Sequence, residues 1–230
     1  WLLARADLGS GAKGRISTWR DGEYLWEQGL SDPFRMTAAN RREVSGYFTE
    51  LLAGLRPTVV HAHHYFQIGL EFLREIKRFD PSIRVCLTLH EYMAICPNKG
   101  LMLTLAGTPC PSGDYRAHTD CVADRTVDDL WLRKHRFERY FDHVDSFIAP
   151  SRFLKERYVE WGLAADRIRV VENCSPPMQE VAPRPMRNGE GRRVFGFFGQ
   201  INPHKGLDHI LEGLLTLGHE RRRDIVLEVH

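Results

Sequence analysis

The chain has 230 residues, 43% hydrophobic and 27% charged, which suits a globular protein with a full core and excludes wholesale disorder. Lysine plus arginine number 32 against 30 aspartates and glutamates, so the net charge of +2 points to no polyanionic partner. Nucleic acid would need a concentrated basic face, and the one dense run, Arg221-Arg222-Arg223, reads as a solvated helix end.

No apolar stretch reaches the roughly 20 residues that span a bilayer. Five cysteines form an odd set, which argues against a disulfide scaffold and for a cytoplasmic protein. The start, Trp1-Leu2-Leu3-Ala4-Arg5, has neither an initiator methionine nor the order of a signal peptide, so a piece of a longer protein is expected.

In chain order, residues 15–28 alternate apolar and polar around Asp21-Gly22, the pattern of a hairpin with a tight turn. A helix follows, with Asn40 as N-cap and Val44, Phe48, Leu51, Leu52 and Leu55 on one face, ended by Pro57. Residues 58–63 read as a short buried strand. Ile68 to Phe79 is helical and closes at Asp80-Pro81; Arg84 to His90 is the next strand. Asp128 to Val144 is helical, Ser146 to Ala149 a strand, and Ser151 caps a helix running to Trp161. Ile168 to Val171 is one more strand. Helices alternating with short β-branched strands predict a parallel sheet wrapped by helices, an α/β Rossmann-like fold.

Residues 175–192 hold four prolines and two glycines and read as a linker between domains 1–174 and 193–230. The strand–helix rhythm restarts at Val194, with a helical face on Leu207, Ile210, Leu211, Leu214 and Leu215, and a second strand over 225–229. Gly199 ends the first of these strands, and Lys205 stands just before the helix. A helix N-terminus with an adjacent ammonium suits a phosphate or diphosphate, although a plain surface lysine in a strand–helix loop has the same spacing.

Four segments, taken together, resemble the retaining glycosyltransferases of the GT-B fold, specifically glycosyltransferase family 4. Arg56-Pro57-Thr58-Val59-Val60-His61-Ala62-His63 resembles that family's PDVVHxH strand, and Leu87-Thr88-Leu89-His90-Glu91-Tyr92 its TxHDY. Pro150-Ser151-Arg152-Phe153 with Gly162 and Ile168 to Asn173 resembles PSxF…GhxxxKIxVIxN, and Gly199-Gln200 through Lys205-Gly206-Leu207 resembles GRLxxxKGhd. The resemblance implies two Rossmann-like domains facing each other across a cleft, the acceptor on residues 1–174 and the nucleotide-sugar donor on residues 193–230, the second domain being truncated. It implies that Gly199, Gln200, Asn202, Lys205 and Gly206 hold the donor diphosphate. The family's Glu-x7-Glu motif is expected past His230 and its glycine-rich first loop before Trp1, so the fragment alone is expected to be inactive.

Two departures stand out. Gln200 occupies the place of an arginine, and glutamine cannot form a charge-assisted bidentate pair with phosphate. Glu91 replaces an aspartate and is one methylene longer.

By the same resemblance His90 lies near the transferred sugar, with Glu91 beside it, and His63 and His64 line the acceptor side. His61 is expected to pack. Cys96, Cys110, His118 and Cys121 have the ligand types of a Cys3His zinc site without any CxxC pair; thiols or a facultative disulfide are the other reading.

The resulting expectation is a retaining glycosyltransferase that moves a sugar from a nucleotide-diphosphate-sugar to a glycan or lipid-linked acceptor in cell-surface polysaccharide synthesis. It needs no metal or cofactor, binds no nucleic acid, and works in the cytoplasm with peripheral association at the inner membrane face. The alternatives are a catalytically inactive GT-B homologue serving as a partner subunit, and a GT-B nucleotide-sugar 2-epimerase.

Overall fold

The computed structural model describes residues 1–6, 14–110, 114–175, 177, 180–182 and 193–230, the side chains of 117 and 118 excepted. The chain divides into two units, Trp1–Cys174 and Ser175–His230. Most of the expected linker, 175–192, lies outside the described residues.

The first unit opens with β1 (Leu2–Ala6), β2 (Ile16–Arg20) and β3 (Glu23–Glu27), of which β2 and β3 form the expected hairpin. β1 runs parallel to β3, a pairing that no local signal announced. A small antiparallel pair, β4 (Leu30–Asp32) and β5 (Thr37–Ala38), leads into α1 (Arg41–Leu55). Val44, Phe48 and Leu52 recur at four-residue steps and form the buried stripe of α1. Asn40 makes no side-chain cap bond to this helix; its backbone is left-handed (φ 50°), whereas a capping residue needs an extended one.

The centre of the unit is a four-stranded parallel sheet: β6 (Val59–Ala62), β7 (Arg84–Thr88), β8 (Ser146–Ala149) and β9 (Ile168–Val170), in that order. α2 (Glu71–Phe79), α3 (Val127–Phe141) and α4 (Arg152–Trp161) make the crossovers. α3 begins in a capping box of Thr126 and Asp129, and Ser151 Oγ accepts the Leu154 amide at the start of α4 at 3.2 Å. One sheet face, with Val85, Leu87, Phe147, Ala149 and Ile168, is fully buried, while Cys86 and Ile148 on the other are half-buried. Phe137, Phe141, Phe147, Tyr158 and Trp161 form an edge-packed aromatic core beneath the buried face.

The strand expected to be buried, β6, is not. Val59 is 56% exposed, because β6 is the edge of the sheet among the described residues and is flanked on one side only.

In the second unit β10 (Val194–Phe197) pairs in parallel with β11 (Val226–Val229), joined through α5 (Leu207–Thr216) and the short α6 (His219–Arg223). Among the described residues no helix is long and apolar enough to cross a membrane.

Candidate functional site

Parallel pairing sets Val60 against Val85, His61 against Cys86 and Ala62 against Leu87, so the residues just past β6 and β7 share one edge of the sheet. Ligands of open α/β sheets bind at this carboxyl edge. Four histidines meet there. His61 Nε2 is 2.8 Å from Thr88 Oγ1, and the His61 and His63 rings lie 4.3 Å apart, centre to centre. His63 Nδ1 is 3.1 Å from His90 Nε2, and the rings of His64 and His90 are 4.9 Å apart. His61, His63 and His64 are exposed and His90 is half-buried. The expected packing of His61 is therefore overturned: at an edge strand its ring reaches solvent, and Thr88 and His63 hold it.

Glu91 joins the cluster through His64, Nδ1 to Oε1 at 3.9 Å. Its other carboxylate oxygen accepts the Met93 amide at 3.0 Å, and its carbonyl accepts the Tyr158 hydroxyl at 2.9 Å. Burial raises the Glu91 pKa, and the Met93 N–H partly offsets that rise. His90 is shifted the other way, below the ordinary imidazole value, by desolvation and then by the like charges of His64, His63 and His61. His61 and His64 are also lowered, by desolvation first and His63 second. His61, His64 and His90 are thus held toward the neutral form, each offering one N–H and one lone pair. That is the equipment for hydroxyl groups rather than for anions.

The segment behind His90 is pinned from below by Arg133 on α3, which is 4% exposed. Its guanidinium donates to the carbonyls of Phe34 at 2.9 Å, Ala94 at 2.7 Å and Met93. The rings of Phe34 and Phe137 lie against it. Burial lowers its pKa to about 10, so it remains a cation at neutral pH. Met93 links this anchor to the site, since its carbonyl takes Arg133 and its amide holds Glu91. Neither Arg133 nor Tyr158 was legible as a site residue, because each is brought in by tertiary packing.

In the second unit, Gly199 N donates to the His230 carbonyl at 3.1 Å, holding the end of β10 to β11. Asn202 Oδ1 accepts the His204 amide at 3.1 Å and starts the turn Pro203–Lys205. Gly206, at φ 75°, reverses the chain into α5, a conformation that glycine adopts without strain. Gln200 Oε1 lies 3.5 Å from Asn202 Nδ2. Lys205 is exposed, and among the described residues no carboxylate pairs with its ammonium. Gly199, Gln200, Asn202, Lys205 and Gly206 all lie on the connection between β10 and α5.

Among the described residues no group of three or more His, Cys, Asp or Glu is arranged to hold a metal. That covers both the histidine edge and the thiols of Cys96, Cys110 and Cys121; the side chain of His118 lies outside the described residues.

The family model described as Glycosyltransferase Family 4 matches residues 24–175. That span contains the whole four-stranded sheet, the four histidines and Glu91. No curated protein matches the chain.

Proposed function

The chain belongs to Glycosyltransferase Family 4, and we propose that its two units divide the labour of one sugar transfer. The second unit would hold the diphosphate of a nucleotide-diphosphate-sugar. The amides at the start of α5 and the Lys205 ammonium supply the positive field that a departing diphosphate needs. The histidine edge of the first unit would take hydroxyls, those of a glycan or lipid-linked acceptor and of the transferring sugar. The bond from anomeric carbon to phosphate oxygen breaks, and the acceptor oxygen forms the new glycosidic bond. The acceptor proton leaves with the nucleoside diphosphate, on the same face of the sugar, so configuration is retained. No metal or cofactor enters this scheme, and the setting would be polysaccharide synthesis at the cytoplasmic face of a membrane.

The observation that carries this reading is the His63–His90 contact at the carboxyl edge of the family-matched sheet. Imidazoles held ring to ring there are suited to orient hydroxyl groups, and Glu91 brings a carboxylate oxygen to 3.9 Å from His64 Nδ1. The test is to supply the full-length protein with a panel of nucleotide-sugars and hydroxyl-bearing acceptors, and to follow nucleoside diphosphate release and product anomer by NMR. Acceptor-dependent release with an unchanged anomeric configuration supports the proposal; release of free sugar alone, or inversion, overturns it.

Gln200 favours a second reading, a catalytically idle homologue that serves as a partner subunit, because an amide is a weaker phosphate ligand than a guanidinium. Failure of the full-length protein to bind any nucleoside diphosphate would favour that reading.

A further inference from the structure

α2 carries Glu71, Arg74, Glu75 and Arg78 at the spacing of one helical face, with signs that alternate. Such a face is ordinarily solvated and laced with ion pairs. Here it lies against the first turns of α1, and the two glutamates are only 3% and 5% exposed. Arg41 stands opposite Glu71, and the Ser45 hydroxyl donates to Glu75 Oε2 at 2.9 Å, so the two helices run side by side in the same direction. A cleft of about 230 Å³ lies between them, lined by both glutamates and by Arg41, Arg42, Arg74 and Arg78. Both carboxylates have close partners already. Glu71 Oε1 takes Arg136 from α3 at 2.6 Å, and its Oε2 takes the Ala38 amide at 3.0 Å. Glu75 Oε1 takes Arg74 at 2.7 Å, and its Oε2 takes Ser45. Burial pushes the Glu75 pKa up, but the hydrogen bonds from Arg74 and Ser45 outweigh it and hold the value below the ordinary one. Arg41 and Arg78 come only to 3.7 Å from the same Oε1 atoms, too far for a hydrogen bond. Arg42 pairs with no carboxylate among the described residues. Five guanidinium groups thus surround two carboxylates, and three of them line the cleft without an acceptor in hydrogen-bond reach among the described residues.

We propose that this cleft binds one phosphate group, as inorganic phosphate or a small phosphomonoester, held by Arg41 and Arg42 from α1 and by Arg78 from α2. A guanidinium meets phosphate oxygens through two parallel N–H···O bonds, a geometry that a lone lysine does not offer. The surplus of positive charge over the two carboxylates suits a phosphate dianion better than a singly charged carboxylate. The cleft is smaller than the roughly 300–1,000 Å³ of pockets that take drug-sized ligands, which suits a single phosphate group rather than a whole nucleotide. Arg42 and Arg78 stand on different helices, so a phosphate between them ties α1 to α2 and stabilises the fold by mass action. The site lies within the first unit and does not rest on the sugar-transfer reading.

The test is a calorimetric titration of inorganic phosphate into full-length protein, at fixed ionic strength with chloride as the balancing anion. It is run in a Lys205→Ala background, so that the turn before α5 does not supply the signal, with and without Arg42→Gln plus Arg78→Gln. The two substitutions leave the Arg74–Glu75 and Arg136–Glu71 pairs in place. Melting without phosphate checks that the fold survives, and Arg42→Gln alone takes over should the combined variant melt early. Saturable uptake of phosphate is expected, with a rise in melting temperature, and affinity should fall by about tenfold or more when the arginines are replaced. Absence of saturable uptake, or equal affinity with and without the arginines, would overturn the assignment. Capture by phosphatidic acid vesicles, but not by phosphatidylcholine vesicles, without uptake of the free ion would overturn the soluble guest in favour of a lipid headgroup.

Discussion

His63 and His90 are hydrogen-bonded ring to ring, Nδ1 to Nε2 at 3.1 Å, across 27 residues of sequence. The contact follows from parallel pairing of β6 with β7, which carries both residues to the same sheet edge. One ring must donate and the other accept, so His63 fixes which nitrogen of His90 is left for a ligand. Two residues that act as one unit do not add. His63→Ala, His90→Ala and the double variant should therefore lower kcat/KM to similar extents, the double falling short of the product of the singles by about tenfold. Independent multiplication of the two losses would mean that the rings work separately.

Acid should weaken this edge. His61, His64 and His90 all take up protons less readily in the folded chain than the ordinary value of 6.5 implies. As pH falls below 6.5 the unfolded chain therefore binds protons first, and stability falls until the lowered values are passed. Glu91 acts in the opposite sense: its raised pKa means that the folded chain is protonated first between 4.5 and its own value. Imidazole resonances followed by NMR should titrate with midpoints below 6.5 for these three histidines, and activity should share that acid limb. Midpoints at or above 6.5 would contradict the described cluster.

Arg133 ties α3 to the segment that follows His90, and it does so as a buried cation facing carbonyls rather than a carboxylate. Arg133→Met keeps the bulk and removes the donors, stranding the carbonyls of Phe34, Met93 and Ala94. Chemical denaturation should show a loss of about 3 kcal/mol or more. It should also raise KM for acceptor through the displaced Glu91. A change under 1 kcal/mol would show that water replaces the guanidinium at little cost.

Gly69, at φ 95°, packs where a Cβ would stand 2.6 Å from the Ala38 amide nitrogen and 2.8 Å from Glu71 Oε2. That amide donates to that carboxylate at 3.0 Å, and Glu71 also pairs with Arg136. Gly69→Ala should cost roughly 1–3 kcal/mol from backbone conformation alone, with the displaced ion pair added to it. Wild-type stability on denaturation would place Gly69 in a looser turn than the one described.

Much of this was legible in the chain. α1 carries the expected apolar stripe, and Ser151 caps α4 as expected, while the Thr126 cap of α3 was not anticipated. Ser146–Ala149 could be read directly from a β-branched and aromatic run flanked by polar turns. His63 and His90, expected on the acceptor side and near the sugar, do meet at one sheet edge. What failed to show was whatever depends on the neighbour. β6 looked buried because Val59-Val60 is apolar, and only strand order reveals it as an edge. Asn40 had the right chemistry for a cap and the wrong backbone. Tyr158 and Arg133 belong to the site through contacts spanning 67 and about 40 residues, beyond the reach of any local pattern.

The most direct test of the account is a calorimetric titration of nucleoside diphosphates into full-length protein, wild type against Lys205→Ala. Lys205 stands exposed at the start of α5 with its ammonium unclaimed by any carboxylate among the described residues. One charge-assisted contact to phosphate is worth about 1.5–3 kcal/mol, so the variant should bind roughly ten- to a hundredfold more weakly. Equal affinity in the two proteins, or a wild type that binds no nucleotide, would contradict the diphosphate site and the sugar transfer built on it.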